Sequence, residues 1–219
     1  MTGVVARSPA GRYAGRSMTN AFSPLILGIG GTARPHSTSE RAVRATLAIA
    51  ETMGARTQLI DGPLLARLPL YTPGRAERNE DEQTLVSAAR ACDGIIVATP
   101  GYHGSLSGPI KNALDMLEDL AGDERTYIDG RAFGTIVTAY GWVACGTTLV
   151  TLRSIAHALR AWPTPYGAAL NASTPLFDQD GSCLETKVEG QLRIVAEQVV
   201  QFARWRHAGL AAKSGSVGS

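Results

Sequence analysis

The chain has 219 residues, of which 44% are hydrophobic and 18% charged, and its formal net charge at pH 7 is +2. This is the composition of an ordinary globular protein with enough residues for one well-buried domain. A net charge this close to zero argues against a nucleic-acid-binding surface, and no apolar run approaches the roughly 20 residues that a membrane-spanning helix needs. We therefore expect no nucleic-acid partner and no membrane partner.

Cysteines and histidines are few and widely spaced. The three cysteines, Cys92, Cys145 and Cys183, form no C-x-x-C pair, and the four histidines are scattered. A sparse, odd cysteine count is more typical of a reducing compartment than of a disulfide framework, so we expect a cytoplasmic protein. The spacing offers no set of metal ligands, and we expect no metal site.

Five apolar strands alternate with helical segments along the chain. The strands are predicted at 24–31, 56–61, 94–100, 131–140 and 164–170. A loop rich in proline and glycine is expected at 62–79, and the last helix is expected from Leu184 to Phe202. Parallel strands need crossover helices, so this alternation predicts a doubly wound α/β sheet with ligands at the carboxyl ends of its strands. We expect one domain over 23–208 between flexible tails at 1–22 and 209–219.

The loop after the first strand carries donors that suit a terminal phosphate. Hydroxyl and guanidinium groups gather before the next helix at Thr32, Arg34, Ser37 and Ser39. The N-terminus of a helix favours an anion through its free N–H groups and its dipole, and these side chains add further donors. Because a phosphate monoester has three acceptor oxygens and nearly two negative charges, the loop favours a mononucleotide.

The same stretch allows two other interpretations. Gly28, Gly30 and Ala33 spell G-x-G-x-x-A, the pattern of a dinucleotide-binding Rossmann loop, and Asp61 ends the second strand where a Rossmann acid would meet the ribose. However, Asp61 follows the pattern by more than the roughly 20 residues expected, and Pro35 falls where the helix should already be running. A capped helix without a ligand is the third interpretation.

The stretch 99–117, TPGYHGSLSGPIKNALDML, follows the third strand. We expect Pro100, Gly101 and Gly104 to form a tight turn whose backbone groups bind the edge of a flavin ring. Tyr102 and His103 are expected to lie beside either the ring or the pocket of the reductant. The stretch resembles the T-P-E-Y-N-G-S-x-P-G-x-L-K-N-x-x-D signature of NADPH-dependent FMN reductases. The matching positions are Thr99, Pro100, Tyr102, Gly104, Ser105, Gly108, Lys111, Asn112 and Asp115.

The first loop in turn resembles that family's G-S-x-R-x-x-S phosphate loop, with Thr32 in place of the serine. Two departures concern the second motif, because Gly101 stands where an acid is common and His103 where an asparagine is common. These two departures affect the expected preference between NADPH and NADH and the expected electron acceptor. Beyond the start of the next helix, we expect Lys111, Asn112 and Asp115 to make structural polar contacts.

The resemblance implies a flavodoxin-like, five-stranded parallel sheet and an FMN cofactor reduced by NADPH or NADH. It implies hydride transfer from NAD(P)H to N5 of the flavin, so no side chain is expected to act as a catalytic acid or base. A quinone, dye, metal ion, oxygen or a partner monooxygenase would then take the electrons, in a homodimer or homotetramer. The expected cofactor-binding residues are Thr32, Arg34, Ser37, Ser39, Pro100, Gly101, Tyr102, His103, Gly104, Tyr140, Gly141 and Trp142.

The third loop, 139–147, closes over the flavin in the resembling family. Gly141 and Gly146 allow close backbone approach, whereas Trp142 is expected either to cover the ring or to lie in the core. We expect Cys145 to be a small residue at a helix start and not a redox thiol, because no second cysteine lies near it.

Other function classes remain open from the sequence. They are a flavodoxin-like electron carrier, which the lack of an acidic run disfavours, a Rossmann dehydrogenase, and a flavodoxin-fold enzyme of a biosynthetic pathway.

Overall fold

The computed structural model describes residues 22–216, with side chains from Phe22 through Lys213. The predicted N-terminal tail therefore lies outside the described residues, except for Phe22. The Phe22 ring stacks on the His207 ring with their centroids 3.8 Å apart.

Strands and helices alternate along the described residues. The strands are β1 (Leu25–Gly30), β2 (Arg56–Ile60), β3 (Gly94–Tyr102), β4 (Ser105–Leu106), β5 (Ala132–Ala139), β6 (Trp162–Pro163) and β7 (Ala168–Asn171). The α-helices are α1 (Thr38–Thr52), α2 (Gly62–Arg67), α3 (Glu80–Ala91), α4 (Gly108–Asp115), α5 (Trp142–Ala158) and α6 (Thr186–Ser216), and a 3₁₀-helix follows α4 at Met116–Leu120.

The sheet confirms the predicted doubly wound architecture. Strands β2, β1, β3 and β5 lie side by side and all pair in parallel. Beyond β5, β6 pairs with its amino half and β7 with its carboxyl half, so together they form one interrupted edge strand. When the short hairpin strand β4 is set aside and β6 and β7 are counted as one strand, the sheet has five strands. Numbered along the chain, these five strands have the flavodoxin-like order 2-1-3-4-5.

Helices cover both faces of the sheet, each over its own buried apolar cluster. Helices α3, α4 and α5 pack on one face, and α1 and α6 pack on the other. Gly28 and Gly30 lie inside β1 under α1, where a Cβ on Gly28 would be 2.6 Å from Cδ1 of Leu47. The Rossmann interpretation of these glycines is therefore wrong: they let a helix approach a strand and do not form a pyrophosphate loop.

Three segments differ from the sequence-based expectation. The loop expected at 62–79 begins with the short helix α2, for which Asp61 is the N-cap through a hydrogen bond from the Leu64 amide at 3.1 Å. The fifth strand was expected at 164–170, but residues 164–167 form no strand; β6 precedes them and β7 follows them. At the C-terminus, α6 continues to Ser216, so most of the expected tail is helical. No helix within 22–216 is long and apolar enough to span a membrane.

Candidate functional site

The loop between β1 and α1 is organised around the start of the helix. Gly31 has a φ of +117°, which favours glycine and turns the chain out of the strand. The Thr32 hydroxyl then accepts a hydrogen bond from the Arg34 amide at 3.0 Å. Ser37 is the N-cap of α1, and its hydroxyl accepts a hydrogen bond from the Glu40 amide at 3.3 Å.

Further donors gather at this helix start. The Ser37 and Ser39 hydroxyls form a hydrogen bond with each other at 3.4 Å in which either can donate, and both residues are buried. Arg34 is exposed beside them and forms no ion pair with any residue of the described 22–216 range. A helix leaves its first N–H groups without carbonyl partners, so this end of α1 presents amides, hydroxyls and a guanidinium together.

A buried carboxylate links the start of α1 to the start of α2. Glu40 is 1% exposed and accepts hydrogen bonds from the Arg44 guanidinium at 2.9 Å and from the Gly62 amide at 3.2 Å. A Cβ on Gly62 would lie 2.7 Å from the backbone oxygen of Thr32 and 3.2 Å from that of Arg34. The start of α2 is therefore in close contact with the backbone of the loop between β1 and α1.

The second loop is a β-hairpin. A tight turn was expected at Pro100, Gly101 and Gly104, but Pro100 and Gly101 lie within β3 and only Gly104 belongs to the turn. The reversal occurs at His103 and Gly104, whose φ angles of +49° and +85° are those of a two-residue type I′ connection between β3 and β4. His103 and Gly104 are exposed at the tip of the hairpin. Buried Thr99 closes its base by accepting a hydrogen bond from the Ser107 amide at 3.0 Å.

Gly101 is the point where this hairpin meets α5. A Cβ there would lie 3.0 Å from the Thr148 hydroxyl oxygen and 3.1 Å from the backbone oxygen of Ala144. The side-chain position of residue 101 thus faces α5. A side chain at this position would press on Thr148 and on the α5 backbone, which would have to give by a few tenths of an ångström, so this close contact favours glycine here.

The third loop is short, because α5 begins immediately after Gly141. Tyr140 is 87% exposed, and Trp142, the first residue of α5, is 61% exposed. The interpretation of Trp142 as a core residue is therefore wrong. Cys145 is buried in the first turns of α5, and this burial raises the pKa of its thiol, as expected of a structural cysteine.

A narrow cleft brings these loops together at the carboxyl ends of β1, β3 and β5. Its lining residues are Thr32, Arg34, Ser37, Thr38, Ser39, Pro100, Gly101, Tyr102, Thr138, Ala139, Tyr140 and Ala172. Eight of the twelve expected residues line it, whereas His103, Gly104, Gly141 and Trp142 do not. The lining set contains no carboxylate and no imidazole.

Four lining residues were missed by the sequence reasoning: Thr38, Thr138, Ala139 and Ala172. Thr138 and Ala139 end β5, and Ala172 directly follows β7. The signal that would have found Thr138, Ala139 and Ala172 is position alone, because the carboxyl ends of parallel strands meet at the same edge of the sheet. Thr38 could have been found as the first residue of the helix that follows the phosphate loop.

The polar residues of α4 make structural contacts, as expected. Asn112 accepts a hydrogen bond from the Tyr71 amide at 2.7 Å and donates one to the backbone oxygen of Pro69 at 2.9 Å. Lys111 and Asp115 form an ion pair within α4 at 2.6 Å. Asn112 thus attaches the segment that follows α2 to the helix behind the hairpin.

Comparisons with known proteins agree with this geometry. The family model of NADPH-dependent FMN reductase matches residues 24–174. The FMN-dependent NADPH-azoreductase of Staphylococcus aureus (strain USA300) is 33% identical over 133 residues, covering 60% of this chain and 67% of that protein.

Solved structures share the fold at lower identity. FerB, a flavoenzyme NAD(P)H:(acceptor) oxidoreductase from Paracoccus denitrificans, has a TM-score of 0.69 at 19% identity, over 84% of this chain and 99% of its own. The NADH:FMN oxidoreductase EMOB in its apo form has a TM-score of 0.63 at 21% identity, and the match covers 83% of this chain and 89% of that structure's chain. The chain belongs to the NADPH-dependent FMN reductase family, and it is an FMN-dependent NAD(P)H oxidoreductase whose cofactors are FMN and NADPH.

Proposed function

We propose that the cleft holds FMN with its phosphate at the start of α1. The amides of the first turn, the Ser37 and Ser39 hydroxyls and the Arg34 guanidinium would bind the phosphate oxygens. The support is that buried hydroxyls and an exposed guanidinium, which has no ion pair among the described residues, converge where the helix dipole favours negative charge. The donor set therefore fits a phosphate monoester.

The ring of the flavin would lie toward the hairpin and the third loop. The backbone of 100–102 lines the cleft there, and the Tyr102 and Tyr140 side chains stand exposed at its rim. Bound FMN supplies the chemistry by accepting a hydride from NADPH and passing two electrons to an acceptor. The lining residues position ligands, and none of them is a carboxylate or imidazole that would exchange a proton near neutral pH.

We propose an aromatic acceptor, an azo dye or a quinone, reduced at the exposed rim. The S. aureus relative named above is an azoreductase, which favours this acceptor class. The cleft itself encloses only about 90 Å³, well below the roughly 300–1,000 Å³ of a typical ligand pocket. The flavin ring would therefore extend to the rim, where the exposed Tyr102 and Tyr140 side chains leave its outer face accessible to a planar acceptor. Release of reduced flavin to a monooxygenase is the second candidate, and the same exposed rim is the observation that favours it.

We also propose that the protein is a cytoplasmic homodimer or homotetramer. The outward side of α5 carries Val143 and Val150, which are 82% and 65% exposed, and the first ten residues of α5 carry no charge. Exposed apolar surface of this kind marks protein contacts. Sedimentation of the purified protein tests the proposed oligomeric state, and a monomer at micromolar concentration would contradict that proposal.

The activity is tested by mixing the FMN-loaded protein with NADPH and an azo dye or a quinone. We expect NADPH consumption coupled to reduction of the acceptor. No NADPH oxidation unless a separate reductase is added would instead identify an electron carrier. Acceptor reduction that stops when free flavin is removed would identify the released-flavin candidate.

A further inference from the structure

A second compartment, of about 240 Å³, lies beside the proposed FMN cleft. We call it the Trp142 compartment, because Trp142 lines it together with residues at the end of β7 and the start of α6. Tyr140 and Ala172 line the cleft, whereas their sequence neighbours Trp142 and Asn171 line the compartment. The chain segments 140–142 and 171–173 therefore contribute residues to both spaces, which makes the two spaces neighbours.

The surfaces of the compartment differ in chemistry from those of the cleft. Trp142 offers an indole ring that is 61% exposed, and Leu170, Leu176 and Val188 provide an apolar floor. An exposed indole beside an apolar floor suits a flat aromatic group, which stacks on the ring face.

Polar groups complete the compartment. Gln191 donates from Nε2 to the Tyr166 hydroxyl at 3.0 Å, which orients its amide. Ser173 and Thr174 add exposed hydroxyls, and Glu185 adds a carboxylate. Lys187 is exposed and forms no ion pair with any residue within 22–216. An aromatic surface, groups that can bind hydroxyls, and a lysine without an ion pair among the described residues together match a nucleoside that carries phosphate.

We propose that the Trp142 compartment binds the adenosine half of NADPH, with the adenine against Trp142 and a phosphate at Lys187. This inference rests on the proposed function, because the nicotinamide half must reach a flavin in the adjoining cleft. A compartment that shares a wall with that cleft lets one NADPH molecule occupy both spaces. An uncharged aromatic acceptor would use Trp142 but would have no need of Lys187.

The direct test is calorimetric titration of adenosine 2′,5′-bisphosphate, a mimic of the adenosine half, into the FMN-loaded protein. We expect Trp142→Ala to weaken its binding about tenfold through lost stacking, and Lys187→Ala about fivefold through lost charge. Lys213→Ala is the matched control, because it removes the same charge near the other end of α6, roughly 39 Å away along the helix axis. It should change binding less than about twofold.

The kinetic test compares NADPH with 1-benzyl-1,4-dihydronicotinamide, a hydride donor that has no adenosine. Both compartment variants should raise the KM for NADPH by the same factors as they weaken bisphosphate binding. They should raise the KM for the short donor by a much smaller factor. Equal effects on both donors, or no measurable binding of the bisphosphate by wild-type protein, would overturn the inference.

A separate FMN titration distinguishes the remaining outcomes. If Trp142→Ala weakens FMN binding but leaves bisphosphate binding unchanged, Trp142 belongs to the flavin site and the inference is wrong. If wild-type protein oxidises neither donor, the proposed function fails. If it oxidises both donors and the variants keep the wild-type KM for NADPH, the function stands and only the compartment assignment fails.

Discussion

At the scale of single residues, Arg34 is the side chain in the first loop that carries a full positive charge. It is exposed, it lines the cleft, and its amide is held by the Thr32 hydroxyl, which fixes the backbone from which the side chain extends. A charge-assisted hydrogen bond to phosphate contributes about 1.5–3 kcal/mol. Ser37 and Ser39 contribute neutral donors, so Arg34 is the residue whose loss should affect the phosphate most.

We predict that Arg34→Ala weakens FMN binding by about 1.5–3 kcal/mol while riboflavin binding stays nearly constant. Riboflavin has the same ring and chain but no phosphate, so the comparison isolates the phosphate contact. Fluorescence titration of both flavins measures the two affinities. Arg193→Ala is the control, because Arg193 lies on α6 in an ion pair with Glu189. Equal losses for the two flavins would remove Arg34 from the phosphate site.

At the scale of secondary-structure elements, the site depends on contacts that lie outside the cleft. The β2–α2 junction supports the first loop through the Gly62 amide and buried Glu40. The hairpin after β3 is held against α5 at Gly101. These contacts position backbone, so substitutions there should act on ligand binding without touching the ligand.

We predict that Gly62→Ala lowers FMN affinity and destabilises the fold by about 1–3 kcal/mol, because its Cβ would overlap the backbone oxygen of Thr32. Gly108→Ala is a closely matched control. Gly108 also opens a helix directly before a proline, and no atom of the part of the chain that the structure describes lies within 4 Å of the position its Cβ would take. The two variants share the restriction that proline places on the preceding residue. FMN titration and urea unfolding of both proteins check the prediction, which fails if the two variants behave alike.

Buried Arg131 joins α3 to the sheet at the end opposite the cleft. It is 1% exposed and donates to the backbone oxygens of Cys92 at 2.8 Å, Tyr127 at 2.7 Å and Arg90 at 2.7 Å. Two of these carbonyls lie at the C-terminus of α3, where the helix dipole favours a cation. Burial lowers the pKa of the guanidinium, because desolvation disfavours its charged form.

We predict that Arg131→Met lowers the free energy of unfolding by more than about 3 kcal/mol, because buried carbonyl oxygens lose their donors. Arg56→Met, on the exposed start of β2, should change it by less than about 0.5 kcal/mol. Urea unfolding followed by circular dichroism measures both. A loss below about 1 kcal/mol for Arg131→Met would show that water or local rearrangement replaces the arginine.

At the scale of the whole molecule, apolar runs that alternate with helical segments were enough to predict the parallel strands of the core. Their flavodoxin-like order was implied by the resemblance of the 99–117 stretch, and the structure has that order. The edge strand was not predictable in the same way, because Pro165 and Gly167 interrupt its pairing and its two halves bind different ends of β5. Likewise, α2 is too short for helical periodicity to reveal, and Trp142 is exposed because α5 starts one residue after Gly141. Such features depend on how elements meet in space, which local sequence patterns do not encode.

The same limit applies to the cleft. Residues with distinctive chemistry, such as Arg34 and Ser37, were found from the sequence because a phosphate needs their donors. Ala172 was missed, since an alanine after a strand has no chemical signature and reaches the cleft only through the order of the strands. Gly62 was missed as a support of the loop, because its role rests on a contact between distant parts of the chain.

The central claim is that three loops at one edge of the sheet form the FMN site, and a crystal structure of the FMN-loaded protein tests it most directly. We predict the phosphate within hydrogen-bonding distance of the Ser37 and Ser39 hydroxyls and of the Arg34 guanidinium, with the ring between the backbone of 100–102 and Tyr140. FMN bound elsewhere, or with its phosphate away from the start of α1, would contradict the account.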